Sequence, residues 1–186
     1  MTPVPNMFVP AARVLHWLMA AMVLIMLFVG IGMVASVSTR HEWLVNLHKP
    51  LGIAILLLAA VRLVVRWRNP PPALPADLPA LQKLAAYASH WLLYFLMLAL
   101  PLIGWAMLSA GGYPVMLSAS LRLPPIFPTG PVGFAVLRHL HTWFALLLLV
   151  TFLGHMAAAL YHGLIRRDGV LSSMTWRRRP NQVAAD

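Results

Sequence analysis

Residues 14–39 read VLHWLMAAMVLIMLFVGIGMVASVST, 26 consecutive positions without a lysine, arginine, aspartate or glutamate. A helix needs about 20 residues to cross the hydrocarbon core of a bilayer, so this run is long enough for a transmembrane span. It is also longer than the roughly 7 to 15 apolar residues of a signal peptide, and it carries a histidine. We therefore interpret it as a retained transmembrane helix and not as a cleaved leader.

Three further apolar stretches follow along the chain. Residues 47–65 are interrupted by Arg62 and end at a basic, tryptophan-containing segment, and two longer runs cover 84–121 and 140–165. The sequence thus predicts an all-α integral membrane protein, a four-helix transmembrane bundle with spans at about 14–37, 47–66, 84–109 and 138–166. The bundle domain is expected at 13–168, between an N-terminal segment at 1–12 and a basic cytoplasmic tail at 169–186.

The composition excludes several other classes of protein. Hydrophobic residues make up 61% of the chain and charged residues 10%, against roughly 25% charged in soluble domains, which argues against a water-soluble enzyme. The basic residues are separated by apolar runs, so no nucleic-acid-binding face is expected. Because the chain contains no cysteine, iron–sulfur clusters, thiolate zinc sites and covalently attached haem are excluded.

The distribution of lysine and arginine predicts the orientation. An even number of spans places both termini on one side, and the side with more basic residues is normally cytoplasmic. Ten basic residues fall on the side of the termini: Arg13, Arg62, Arg66, Arg68, Lys83, Arg166, Arg167, Arg177, Arg178 and Arg179. Four fall on the other side: Arg40, Lys49, Arg122 and Arg138. Both termini are therefore predicted to be cytoplasmic.

Histidines are the candidate cofactor ligands, since the chain has eight of them and only four carboxylates. On the predicted fourth span, His141 and His155 are 14 residues apart, close to four helical turns and a rise of about 21 Å, so they share one face. Their levels match those of His48 and His16. Neutral imidazoles on facing helices are good axial ligands for haem iron. We therefore expect two stacked bis-histidine haems, held by the pairs His16/His155 and His48/His141.

Steric room supports the same four histidines. A porphyrin against a helix requires a small residue one turn from its ligand, and the fourth residue after each is small: Ala20, Gly52, Ala145 and Ala159. The fourth residues after the other histidines are larger. His41 is expected in a solvated loop and His139 at the interface. His90 and His162 are candidate quinone contacts or plain packing residues, and Arg62 is either a partner for haem propionates or a snorkelling arginine.

These residues resemble a known family. The segments 13–17 (RVLHW), 47–53 (LHKPLGI), 61–63 (VRL) and 99–104 (ALPLIG), with His141, Gly154-His155 and Tyr161-His162, are similar to the prokaryotic cytochrome b561 family. The resemblance covers about 13–167. It implies a four-helix dihaem b protein of the bacterial inner membrane that exchanges electrons with ubiquinone, some members oxidising superoxide at the periplasmic side. The ligand positions of the family fall on His16, His48, His141 and His155.

The expected function is transmembrane electron transfer, because two bis-histidine haems leave no open coordination site for oxygen chemistry. The periplasmic partner is either a small anion such as superoxide or an acidic redox protein, attracted by the positive face. Two alternatives stay open at this stage. One is a cytochrome b anchor subunit of a larger dehydrogenase or hydrogenase, and the other is a haem-free small transporter or scaffold.

Overall fold

The computed structural model describes residues 7–117 and 120–175, which are almost entirely helical. Four helices are long and apolar enough to cross a membrane: α1 (Pro10–Val34), α2 (Thr39–Arg68), α3 (Ala80–Ala110) and α4 (Pro131–Leu160), the last of which continues as a π-helical segment, Tyr161–Arg166. A short helix, α5 (Val170–Ser173), ends the described chain. The predicted four-helix transmembrane bundle is thus confirmed. The basic residues 177–179, which entered the orientation count, lie outside the described residues.

Local sequence signals set the ends of the helices. Pro10 and Pro131 occupy the first turns of α1 and α4, where the missing N–H of proline is harmless and its fixed φ is already helical. Ser38 caps α2 by accepting the backbone N–H of Arg40. The helices extend past the apolar runs, so α1 begins inside the predicted N-terminal segment and α2 begins eight residues before its predicted span. His41 was predicted wrongly, because it lies in the first turn of α2 and donates to the Met33 carbonyl.

The helices pack in chain order, and α3 is the most buried of the four. The core consists mainly of aliphatic and methionine side chains, with one tyrosine: Met19, Val23, Ile55, Ala59, Tyr94, Leu96, Met97, Leu100 and Leu148. Large apolar side chains such as Phe28 and Val150 are exposed at 68% and 67%, as expected of a lipid-facing surface. In the described residues, the backbone of α4 packs closely along α3 and hardly approaches α1 or α2. A separation therefore runs along the bundle on that side of α4.

The segment between α3 and α4 lies at the end of the bundle away from the termini, which we call the loop end. It contains a small antiparallel ladder of two strands that the all-α prediction did not include, β1 (Val115–Met116) and β2 (Arg122–Leu123). Trp105 donates to the Pro124 carbonyl, and Ser109 accepts the backbone N–H of Ile126. These bonds fasten the segment to the last turns of α3.

The two ends of the described chain meet at the opposite end of the bundle, which we call the terminal end. The N–H of Phe8 donates to the Ser173 carbonyl, and the indole of Trp17 donates to the Met174 carbonyl. The residues after Gly169, predicted as a tail, thus include a short helix that packs back on the start of α1. An even number of antiparallel spans produces this arrangement, because the last helix returns to the side where the first began.

Candidate haem-binding sites

The loop-end pair consists of His48 on α2 and His141 on α4. Their ring centroids are 6.1 Å apart. Two imidazoles bound to one metal ion at about 2 Å each would have ring centres roughly 6.3 Å apart. The pair bridges the separation between α2 and α4, so its spacing and position both fit a bis-histidine haem.

The rings of the loop-end pair are closely confined on their Nδ1 side. The Nδ1 atom of His48 is buried and has no hydrogen-bond partner among the described residues. The Nδ1 atom of His141 is also buried without a hydrogen bond of good geometry, although the Leu100 backbone lies near this ring. A Cβ on Gly104 would meet Cε1 of His141 at 3.2 Å, so the ring rests against a position where only glycine leaves space. Gly104 therefore fixes how closely the His141 ring approaches α3.

The terminal-end cluster consists of His16 on α1, Arg62 on α2, His90 and Tyr94 on α3, and His155 on α4. The centroids of His16 and His155 are 6.2 Å apart, again the spacing expected of two axial ligands. His90 lies closer to His155, at 5.1 Å, which is about 1 Å too short for a metal ion between the rings. All five residues line one cavity. The spacing thus selects His16, and not His90, as the facing ligand of His155.

Arg62 makes the polar contacts that sequence reasoning did not foresee. Its Nη2 lies 2.8 Å from Nδ1 of His16, and its Nε donates to the Tyr94 hydroxyl at 3.1 Å. Because a guanidinium has donors only, Nδ1 of His16 is the acceptor and the ring hydrogen is on Nε2. An iron ligand bound through Nε2 normally carries its hydrogen on Nδ1. Haem binding here therefore requires Arg62 to move from His16 to another acceptor.

Taken together, the donor set of both sites fits haem. Imidazole is a common axial ligand of haem iron, and among the described residues the Nε2 atoms of the four paired histidines are neither hydrogen-bonded nor fully enclosed. The backbone of α4 does not approach α1 or α2 closely in the described residues, and at the terminal end a cavity lined by His16 and His155 lies between these helices. His16, His48, His141 and His155 are thus the residues that would hold two haems. Their ligand role stays a prediction.

His162 lies in the π-helical segment at the terminal end, outside the cavity of the cluster. Its Nδ1 atom is 2.6 Å from Oδ2 of Asp168, which also accepts from Nε of Arg166. No contact joins His162 to His90 in the described part of the chain, so the two candidate quinone contacts belong to different surroundings. The sequence analysis missed Asp168, although a rare acidic residue after two arginines at the end of a span could have indicated it. Nothing in the sequence indicated the roles of Tyr94 and Gly104.

Four membrane-length helices with facing histidine pairs are the arrangement of a membrane cytochrome. The sequence profile of the family described as prokaryotic cytochrome b561 matches residues 8–177. This chain belongs to that family, whose members are electron-transfer cytochromes of the membrane with b-type haem.

Curated relatives agree in length as well as in sequence. The chain is 30% identical to cytochrome b561 homolog 2 of Escherichia coli (strain K12) over 177 residues, 93% of each chain. It is 28% identical to cytochrome b561 homolog 1 of the same organism over 182 residues, 94% of this chain and 99% of the relative. It is 30% identical to the probable superoxide oxidase CybB of Yersinia pestis over 171 residues, 89% of this chain and 93% of the relative. Family membership and the four apolar helices together support a multi-pass protein of the inner membrane.

Proposed function

We propose that this protein carries electrons across the membrane from superoxide at the loop end to ubiquinone at the terminal end, through two b haems. The observation that carries the proposal is the presence of two histidine pairs, spaced at 6.1 and 6.2 Å, at opposite ends of one bundle. When bound, haem supplies one-electron oxidation and reduction at the iron. Because two imidazoles would hold each haem, outer-sphere electron transfer would be favoured over oxygen binding.

The residues of this chain hold and insulate the two redox centres. His141 and His155 lie on one helix, 14 residues or about 21 Å apart, so α4 sets the distance between the two levels. The apolar core between the levels, including Leu96, Leu100 and Leu148, excludes water. At the terminal end, Arg62 is the cation nearest to His16, and we propose that it exchanges its contact with Nδ1 for a haem propionate.

The loop end supports an anionic reductant. Four basic residues and one acidic residue, Glu42, belong to this end by sequence: Arg40, Lys49, Arg122 and Arg138. Within 7–117 and 120–175, none of these four cations forms an ion pair with a carboxylate. Such a field raises the encounter rate of a small anion. The likeness to the probable superoxide oxidase of Yersinia pestis favours superoxide over an acidic redox protein.

The terminal end supports quinone reduction at His162. The Nδ1 atom of His90 bonds the Ala86 carbonyl, and the ring lies against His155 in the cavity of the terminal-end cluster. A quinone bound to His90 would compete with the cofactor for that cavity. His162 lies outside the cavity, and its Nε2 atom has no partner among the described residues and is not fully enclosed. We therefore assign the quinone contact to His162.

A haem count with single-histidine variants tests the ligand assignment. The wild type should contain two b haems per chain by pyridine haemochrome and a dithionite-reduced minus air-oxidised spectrum. His48→Ala and His16→Ala should each lose one. His139→Ala is the matched control, because His139 is exposed two residues before His141, and it should retain both haems. A colourless wild type would favour the haem-free transporter or scaffold, and a co-purifying catalytic partner would favour the anchor-subunit alternative.

The orientation follows from the same proposal and has its own test. With ten basic residues at the terminal end and four at the loop end by sequence, we propose that both termini face the cytoplasm. A C-terminal fluorescent-protein fusion should be bright and a C-terminal alkaline phosphatase fusion inactive. The reverse pattern would place the positive loop end in the cytoplasm and remove the argument for periplasmic superoxide.

A further inference from the structure

A short hydrogen bond joins a histidine and a carboxylate just beyond the end of α4. The distance from His162 Nδ1 to Asp168 Oδ2 is 2.6 Å, and the two side chains are exposed at only 15% and 11%. A carboxylate is an acceptor only, so the hydrogen of this bond belongs to Nδ1. The other ring nitrogen, Nε2, is therefore the one that can exchange protons.

The backbone around Asp168 is shaped to make this contact. The widened π-helical turn, Tyr161–Arg166, precedes Arg167, which has the left-handed φ of 51°, and Gly169 follows with a φ of 84°. A non-glycine residue in this region is uncommon, and π-helical turns are frequent at functional sites. The two left-handed residues reverse the chain on either side of Asp168 and return its carboxylate to His162, six positions earlier.

The charges around the pair keep the carboxylate ionised. Oδ2 also accepts from Nε of Arg166, whose guanidinium contacts the exposed Asp77 in the connector before α3, and Oδ1 accepts the N–H of Val170. The charged residue Arg13, on the neighbouring helix α1, donates to the carbonyl of Thr175 in the segment that follows Asp168. Burial raises the pKa of the Asp168 carboxyl, but the hydrogen bonds from His162, Val170 and Arg166 outweigh it and hold that pKa below its ordinary value of 3.8.

We propose that Asp168 is a positioning residue for proton delivery to the quinone: it holds His162 in the tautomer with hydrogen on Nδ1, so that Nε2 is the atom that protonates the quinone oxygen. This inference rests on the quinone contact proposed above for His162. A neutral imidazole free to rotate or change tautomer would present the correct nitrogen only part of the time. A carboxylate held by at least three donors among the described residues, His162, Arg166 and Val170, removes that freedom.

The reaction balances in electrons and protons. Two superoxide anions are oxidised to dioxygen, and their two electrons pass singly through the protein to one quinone. The quinone takes up two protons and becomes the quinol. The imidazolium of His162 gives its Nε2 proton to one quinone oxygen and regains a proton from cytoplasmic water, the second quinone oxygen takes its proton from cytoplasmic water directly, and Asp168 keeps its negative charge throughout.

Reoxidation of the dithionite-reduced, haem-loaded protein by ubiquinone-1 measures quinone reduction separately from superoxide oxidation. Asp168→Asn leaves one acceptor oxygen for the three donors among the described residues, so the amide NH₂ faces at least one of these donors. We expect reoxidation to slow roughly ten- to a hundredfold, because the ring is no longer held with its hydrogen on Nδ1. Asp168→Glu should restore part of the rate. The haem spectra should not change.

Asp77→Asn is the matched control, because it removes a carboxylate from the same network without touching His162. It should leave the rate of reoxidation unchanged. If His162→Ala slows reoxidation but Asp168→Asn does not, or if Asp77→Asn slows it equally, the role of Asp168 is refuted while the quinone site stands. If neither His162→Ala nor Asp168→Asn slows it, the proposed quinone site itself is wrong.

A second measurement needs no variant at all. The side-chain ¹⁵N shifts of His162 in the wild-type protein report which nitrogen carries the hydrogen in the neutral ring. Hydrogen on Nδ1 supports the proposal, and hydrogen on Nε2 overturns it. In the His162→Ala background, Asp168→Asn should have no further effect on reoxidation, whereas an additive loss would show a structural role of Asp168.

Discussion

Replacement of Gly104 should remove the loop-end haem selectively. The carbon that alanine adds would lie 3.2 Å from Cε1 and 3.5 Å from Nδ1 of His141. Since carbon atoms pack best at about 3.5 to 4.0 Å, the ring must retreat by roughly 0.3 Å or more. Overpacking of this kind costs about 1 to 3 kcal/mol, and the gain from alanine in a helix interior offsets only about 0.5 to 1 kcal/mol.

With haem held by His141 as proposed, the remaining strain would weaken haem binding at the loop end. A penalty of about 1 to 2 kcal/mol weakens haem binding roughly 5- to 30-fold, so Gly104→Ala should be partly depleted of haem when haem is limiting. Gly104→Val adds two more methyl groups and should reduce the haem content from two per chain to one. The number of haems per chain is measured as the haem concentration from the pyridine haemochrome assay divided by the protein concentration. Gly154→Ala is the control, since a Cβ there, beside His155, meets nothing within 4 Å.

Single-haem backgrounds show which site is lost. Combined with His16→Ala, which leaves the loop-end site, Gly104→Val should give a colourless protein. Combined with His48→Ala, which leaves the terminal-end site, it should change nothing. Equal loss in both backgrounds would refute the reasoning, because it would mean that the substitution disturbs the whole bundle and not the His141 ring.

Three further predictions concern charge. Arg62→Gln should lower the reduction potential of the terminal-end haem by roughly 50 to 100 mV in a redox titration. This is about the effect of removing one unit charge about 8 to 10 Å from the haem at an effective dielectric constant near 20. Arg68→Gln is the control and should have little effect. Asp168→Asn should destabilise the protein at neutral pH by about 1 to 2 kcal/mol in thermal melts. Because the folded pKa of Asp168 is lowered, this stabilisation is present above its ordinary pKa of 3.8 and disappears as the pH falls through the lowered value. Haem reduction by superoxide should slow roughly two- to threefold between about 20 and about 200 mM salt, and a salt-independent rate would contradict steering by the loop end.

The features that could be predicted from the sequence are those that depend on position along one helix. Uncharged runs longer than the bilayer predicted four spans, and the structure has four such helices. Depth in the membrane predicted which histidines share a level, and the structure places both pairs about 6 Å apart. Both predictions need only the rise of about 1.5 Å per residue, which converts the length of a run into a span and the position of a residue into its depth.

Contacts that depend on the rotation of neighbouring helices could not be predicted in this way. The approach of Gly104 to His141 requires the facing side of α3 to be known, and the same holds for the bond between Arg62 and the Tyr94 hydroxyl. The contact of His162 with Asp168 depends on a π-helical turn and on a left-handed Arg167, neither of which has a reliable sequence signal. His41 was placed in a loop because the polar first turn of α2 has no hydrophobic periodicity.

The two ends of the bundle differ in a way that suits their proposed partners. At the loop end, the Nδ1 atoms of the histidine pair have no hydrogen-bond partner among the described residues. The four basic residues of this end form no ion pair with a carboxylate in that part of the chain. Oxidation of superoxide releases dioxygen and needs no proton, so a site with charge but without a proton relay suffices. At the terminal end, outside the cavity of the cluster, His162 and Arg166 both bond the Asp168 carboxylate. Quinone reduction consumes two protons, and the proposed pair of His162 and Asp168 lies at the end where they would be delivered.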